Sequence, residues 1–386
     1  MFLTIVIFLL VLSLLVLVHE FGHFLTARRC GVKAEEFGLG FPPRVFGFYK
    51  SVSGHWRFIF GDKSLEKLEN LENEKNRPAA QSTVYSLNWL PLGGFVKIKG
   101  ENGEGREEKD SFSAKSIWRR ALILSAGVIM NMVLAWLLFS VGYLFGLPQS
   151  TASLGAKAKI SNIEVVVMQV IAESPAAMSG LKEGDAIMRI NNVELKSEKD
   201  LQDAVAQNAN REAELVVKRD NQESIIKVTP LAREGERATI GVAIYSSGLV
   251  SYPFFTAFWE GIKTTVWVTG QIFIAFYDLI RQIFAGQNVS EQFAGPVGIA
   301  GITGQAARLG FTYLLQFMAL LSINLAVINI LPLPALDGGR ILFLVIEKFK
   351  GAPVKREVEN IIHNVGFIML IALVIFITYK DVIKLF

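Results

Sequence analysis

The sequence predicts a polytopic α-helical membrane protein with four transmembrane helices, a membrane-associated β-hairpin region and one β-rich domain outside the membrane. Three observations carry this. The 386 residues are 51% hydrophobic and only 19% charged, with a mean hydropathy of +0.39, whereas a soluble domain carries about a quarter charged residues. Four segments are apolar over roughly the 20 residues that cross a bilayer. Between them, aromatic and β-branched runs punctuated by Gly and Pro mark strands. The same composition excludes intrinsic disorder and collagen-like repeats. The single cysteine, Cys30, excludes an intramolecular disulfide framework and a Cys-rich metal site. A net charge of +4 gives no ground for a nucleic-acid partner.

The first span covers residues 1–29 and is uncharged through Val18. No basic residue precedes the apolar run and no small-x-small site follows it, so it reads as a span and not as a cleaved signal peptide. Residues 30–116 form a loop with β-hairpins over Phe37–Phe60 and Thr83–Lys99, and a charged, solvated insert over Asp62–Arg77. The second span is 117–147, charge-free after Arg120. Residues 155–245 hold short strands at Val165–Val170, Ala186–Ile190, Ala213–Lys218 and Ser224–Thr229, with a helix over Asp200–Gln207. In 252–285, the polar residues Thr256, Glu260, Lys263, Thr264, Gln271 and Asp278 recur at helical spacing. That stripe predicts an amphipathic helix lying on the membrane surface, with a fifth span as the alternative. The third span is 309–337 and the fourth 362–380. Arg28 and Arg29, then Lys115, Arg119 and Arg120, then Arg340, Lys348, Lys350, Lys355 and Arg356 flank the spans on one side. Basic loops stay in the cytoplasm. Both termini and residues 148–308 are therefore expected to face outward.

The chemistry-bearing motif is HEFGH at 19–23. Residues four apart share a helix face, so His19 and His23 can reach one metal, and Glu20 beside them can take a proton from a metal-activated water. Ionisable groups at membrane depth cost about 2.5–3.5 kcal/mol each on insertion scales. Ligation of two neutral imidazoles, with water contact for Glu20, compensates. Zinc suits this donor set and brings the pKa of a bound water to about 7. A third protein ligand is then required. Asp337, in LPLPALDGG at 331–339, is the candidate. It lies three residues before Arg340, at the same expected depth as the histidines. The alternative is that Asp337 caps a helix beginning near Gly338. Pro332 and Pro334 break the preceding helix, and broken backbone at membrane depth is tolerated where it lines a cavity or is buried. His55 and His363 have no partner at ligand spacing and read as surface or interface residues.

Glu173–Asp185 (ESPAAMSGLKEGD) followed by INNVE at 190–194 resembles the PDZ family. That resemblance implies a groove that takes an extended peptide. HEFGH in the first span, Leu336-Asp337-Gly338 at the end of the third and a PDZ-like domain between them resemble the site-2 protease family, in the branch of the bacterial regulators of sigma-E. GVIMN at 127–131, PLGGFVK at 91–97 and GPVGIA at 295–300 add to the likeness. The resemblance implies an intramembrane zinc endopeptidase of the bacterial inner membrane, with Zn2+ on His19, His23 and Asp337 and Glu20 as general base. It places Asn324, Asn329 and Pro332 near the substrate. For Asn324, Asn329 and Asn131 the competing reading is interhelical hydrogen bonding. Implied substrates are single-pass membrane proteins, an anti-sigma factor or remnant signal peptides. A substrate helix must be unwound before it is cut, and its freed backbone groups need new partners. The segment 93–99, with Phe95, Val96, Lys97 and Ile98, is the candidate edge strand for that pairing. The PDZ-like domain would bind a peptide or partner, or exclude intact ectodomains. A non-catalytic PDZ scaffold would have no use for Glu20, and a metal transporter would need ionisable groups that the second and fourth spans lack in their cores.

Overall fold

The computed structural model describes residues 2–62, 82–150, 158–195, 197–219, 222–232, 237–287 and 294–383; the expected insert, apart from Asp62, lies outside them. In chain order the elements begin α1 (Phe2–Arg29), β1 (Ala34–Lys50), β2 (Trp56–Phe60), β3 (Val84–Ile98), α2 (Ile117–Phe145), β4 (Leu147–Ser150) and β5 (Lys159–Val170). Then come α3 (Pro175–Met178), β6 (Ala186–Ile190), β7 (Val193–Glu194), α4 (Glu198–Gln207), β8 (Ala213–Arg219), β9 (Gln222–Val228) and β10 (Val242–Ser251). The chain continues with α5 (Phe254–Phe284), α6 (Pro296–Leu309), α7 (Phe311–Ile330), α8 (Asp337–Lys350) and α9 (Arg356–Ile383). Among the described residues, four helices are long and apolar enough to cross a membrane: α1, α2, α7 and α9. The expected interfacial segment, α5, is one continuous helix of 31 residues and is not among those four. Two compact units result. One holds Met1–Leu138, Ile262–Arg308 and Phe317–Phe386; the other holds Phe139–Gly261 and Leu309–Gln316.

In the first unit, the third apolar segment differs from its expected extent. Helix α7 stops at Ile330, and Leu331–Leu336 is non-helical before α8 starts at Asp337. Pro332 and Pro334 lack the N–H groups a continuing helix needs. The hairpin region forms a sheet of order β2-β1-β3. Phe37 in the first half of β1 lies opposite Val96 on one side and Tyr85 on the other, while Phe48 in its second half also lies opposite Tyr85. Both long strands therefore fold back on themselves, and the 94–98 stretch becomes an outer strand. A bidentate pair, Arg44 Nη2 to Glu36 Oε2 at 2.6 Å and Nε to Oε1 at 3.0 Å, is buried within the sheet. Each charge has its partner, which burial demands. Trp56, Phe58, Phe60 and Trp89 are instead exposed, an aromatic surface of the kind that meets a membrane.

The second unit carries a sheet of order β4-β10-β5-β6-β8-β9, with β7 paired to β6. All the strands expected in the 155–245 domain form, and β4 and the end of β10 extend the sheet beyond both expected limits. In β8, Ala213, Leu215 and Val217 are buried while Glu214 is exposed, the two-residue alternation of a half-buried strand. These side chains join Val165, Val167, Ile187, Ile190 and Leu201 in one core. Helix α4 starts at Ser197, whose hydroxyl accepts the Asp200 N–H at 3.2 Å.

Candidate active site

Helix α1 presents two adjacent faces because successive residues turn by about 100°. One face carries His19 and His23, both buried. The next carries Ser13, Val16, Leu17 and Glu20 toward β3. Ser13 Oγ donates to the Pro91 carbonyl at 3.0 Å, and a Cβ on Gly93 would lie 2.8 Å from Val16 Cγ1. The outer strand is thereby held against the helix. Its Val96 N–H donates to Glu20 Oε2 at 3.1 Å.

Asp337 meets the imidazoles from the start of α8. Its Oδ2 is 3.1 Å from His19 Nε2 and 3.3 Å from His23 Nε2, and the two Nε2 atoms are 3.2 Å apart. A tetrahedron built on metal–ligand bonds of about 2.0–2.1 Å has edges of about 3.3–3.4 Å, so this triangle has the size a zinc ion requires. Leu336 is the residue that caps α8, without a side-chain hydrogen bond, and Asp337 is already inside the helix. The carboxylate is therefore not used as a cap. Gly338 lets α8 start against the broken end of α7: a Cβ there would be 2.1 Å from the Leu331 carbonyl oxygen.

The outer nitrogens of both rings are engaged. His23 Nδ1 is 2.8 Å from the Ile123 carbonyl oxygen. A carbonyl only accepts, so Nδ1 carries the proton and the Nε2 lone pair faces Asp337. His19 Nδ1 is 3.2 Å from the side-chain amide of Asn131, which is fully buried. Asn131 Oδ1 has no partner among the described residues. Rotated by half a turn, the amide offers Oδ1 to the His19 Nδ1–H and leaves Nε2 free for a metal. Gly127, one helical turn before Asn131, backs both rings: a Cβ there would be 2.4 Å from His23 Nε2 and 2.7 Å from His19 Nε2. The donor set, its spacing and its oriented rings fit zinc.

A cavity of about 210 Å3 opens beside this triangle, lined by His19, Glu20, Asp337, Asn329 and Leu325. Asn329 thus reaches the site from α7. Asn324 does not line the cavity; its Nδ2 donates to the Leu320 carbonyl at 3.0 Å, within its own helix. Pro332 is exposed and also absent from the lining. Val96 reaches Glu20 directly, and Phe95, Lys97 and Ile98 share its strand, opposite Gly38, Glu36 and Ala34. The sequence offered Asn131 within GVIMN and as a candidate for interhelical hydrogen bonding, with no sign that its partner is a histidine. His363 read only as a surface or interface residue; its contact with the loop before Asp337 spans 28 residues.

The class to which such a protein belongs is that of intramembrane zinc metalloproteases. This chain is a member of peptidase family M50, whose model matches residues 7–61 and 76–373. It is 32% identical over 440 residues to the regulator of sigma-W protease RasP of Bacillus subtilis, covering 99% of each chain. It is 29% identical over 435 residues to the zinc metalloprotease RasP of Bacillus licheniformis, again over 99% of both. Among solved structures it is similar to the PDZ domain of an SdrC-like protein from Listeria monocytogenes, at 23% identity and a TM-score of 0.21, covering 22% of this chain and 92% of that one.

Proposed function

We propose that the chain cuts single-pass membrane proteins within the bilayer, with His19, His23 and Asp337 holding the zinc and Glu20 acting as general base. The observation that carries this reading is the meeting of three donors in a 3.1–3.3 Å triangle beside the cavity that Glu20 lines. When bound, zinc acts as a Lewis acid and makes a water nucleophilic near neutral pH. Glu20 takes the proton of that water and delivers it to the leaving amine. Asn329 faces the same cavity and is placed to hold a substrate carbonyl or N–H.

The Val96–Glu20 hydrogen bond links substrate binding to catalysis. An unwound substrate segment that adds to the 94–98 strand takes over the Val96 N–H. Glu20 then loses its backbone donor and is released as a base. Strand addition also re-pairs the substrate groups that unwinding leaves without partners. The basic flanks of α1, α2 and α8 support a cytoplasmic position for the site and an outward position for the PDZ-like domain. There that domain would bind a peptide, or exclude substrates whose ectodomain is still intact. The Bacillus subtilis relative, named as a regulator of sigma-W protease, favours an anti-sigma factor as substrate over remnant signal peptides.

The test uses purified full-length protein in lipid vesicles with a single-pass substrate. Glu20→Gln abolishes cleavage, by about 10²–10⁴-fold, and retains zinc at the wild-type stoichiometry. Cleavage by the Gln variant at the wild-type rate removes Glu20 from the mechanism. Loss of zinc from it would instead place Glu20 among the ligands.

A further inference from the structure

The loop that delivers Asp337 is tied to α9 through His363. The Ala335 N–H donates to His363 Nδ1 at 2.9 Å. Ala335 has φ of +70°, in the left-handed region that residues bearing a Cβ rarely adopt. Asp337 follows two residues later, so the direction in which its carboxylate enters the site depends on this turn. A second contact fixes the same stretch. Pro334 is seated against Gly366, on the face of α9 that carries His363, where an added Cβ would lie 2.2 Å from Pro334 Cβ. Phe343 of α8 flanks the imidazole, with ring centroids 5.4 Å apart.

A ring that accepts at Nδ1 carries its proton on Nε2, and this Nε2 is buried without a partner among the described residues. An unpaired buried N–H opposes folding. A leucine or phenylalanine would pack against Phe343 with no such group. What the imidazole adds at this place is the bond it accepts from Ala335. We propose that His363 is a positioning residue of the metal site: its Nδ1 holds the left-handed turn at Ala335 that aims Asp337 at His19 and His23. The consequence for zinc rests on the ligand roles proposed above; the hold on the turn does not.

Four variants of the full-length protein in detergent test this. His363→Asn places an amide oxygen near the position of Nδ1 and keeps an acceptor. His363→Leu keeps the bulk and removes it. Ala335→Gly adopts a positive φ without strain, and the fourth variant combines it with His363→Leu. Hydrogen exchange of residues 331–338 is read in chelator-stripped protein, and zinc affinity by competition with a chelator. His363→Leu speeds exchange at the Ala335 amide about tenfold and weakens zinc binding by about 10–100-fold, whereas His363→Asn stays within about threefold of wild type on both. In the Ala335→Gly background the leucine substitution costs less. Wild-type exchange and zinc affinity in His363→Leu overturn the proposal, as does an asparagine variant no better than the leucine one. A wild-type protein that binds no zinc overturns the metal reading, and the exchange measurement still decides the role of His363.

Discussion

Gly127→Ala is the smallest change that reaches the proposed metal site without altering any proposed ligand. The added Cβ would sit 2.4 Å from His23 Nε2 and 2.7 Å from both Nε2 and Cε1 of His19. The shorter of these is about 1 Å inside ordinary van der Waals contact. The obstruction is rigid, because Gly127 lies in the middle of α2 and His23 is anchored by its Nδ1 bond to the Ile123 carbonyl at 2.8 Å on the same helix. Metal sites tolerate ligand displacements of about 0.2 Å, so rings that retreat by several times that distance lose their common focus. Overpacking of this kind costs about 1–3 kcal/mol. Expressed as lost metal affinity, that is roughly 5- to 150-fold weaker zinc binding. The assay is a zinc titration of chelator-stripped protein against a chromophoric competitor, with circular dichroism and a thermal melt to follow the fold. Gly270→Ala in α5 is the control, since nothing lies within 4 Å of a Cβ there, and it leaves zinc affinity unchanged. A Gly127→Ala protein that folds and binds zinc as tightly as wild type would refute the assignment of this triangle as the metal site.

Two further outcomes concern the outer strand and the PDZ-like domain. Val96→Pro removes the N–H that now meets Glu20, and cleavage of a helical transmembrane substrate falls at least about tenfold while that of an already unfolded peptide falls much less; equal losses would exclude strand addition. In the PDZ-like domain, burial pushes the Asp185 carboxyl up, but Arg219, 2.6 Å from each carboxylate oxygen, and the Lys182 N–H at 2.8 Å hold it below the usual carboxylate range. A depressed folded value stabilises fully above the unfolded pKa of about 3.9, and that stabilisation is lost as pH falls through the folded value. Arg219→Met strands the buried carboxylate and lowers the domain's stability at pH 7 by about 2–3 kcal/mol, discounted because the Arg219 side chain is 36% exposed. Melts of both proteins from pH 7 to pH 3 check this, with a smaller acid-side loss expected for the variant.

The sequence made the site legible wherever chemistry and local period coincide. HEFGH sits on one helix, so a four-residue spacing is enough to place His19 and His23 together. Asp337 was reachable because charge placement gave it the same expected depth as the histidines and two prolines broke the chain just before it. Strand identities in the PDZ-like domain followed from alternation, as in Ala213, Leu215 and Val217. What stayed hidden depends on contacts between distant segments. No local pattern reveals that Asn131 faces His19 across 112 residues, or that β1 and β3 each turn back on themselves so that Val84–Asn88 lies between the two halves of β1. Asn324 and Asn329 look alike in sequence, yet five residues along a helix turn one into the cavity and leave the other bonded to its own backbone. His363 read only as a surface or interface residue because it holds backbone, and an acceptor for a backbone N–H leaves no motif.

The exposed aromatic side of the β1–β3 sheet has a consequence for how such a protein is handled. Trp56, Phe58, Phe60 and Trp89 are exposed aromatic side chains on the same sheet that carries Val96. A surfactant that wets these side chains touches the scaffold on which the Glu20 contact is built. Micelle chemistry and acyl-chain length therefore become variables of turnover in their own right, and rates collected in different solubilising media belong to different surroundings of one and the same catalyst.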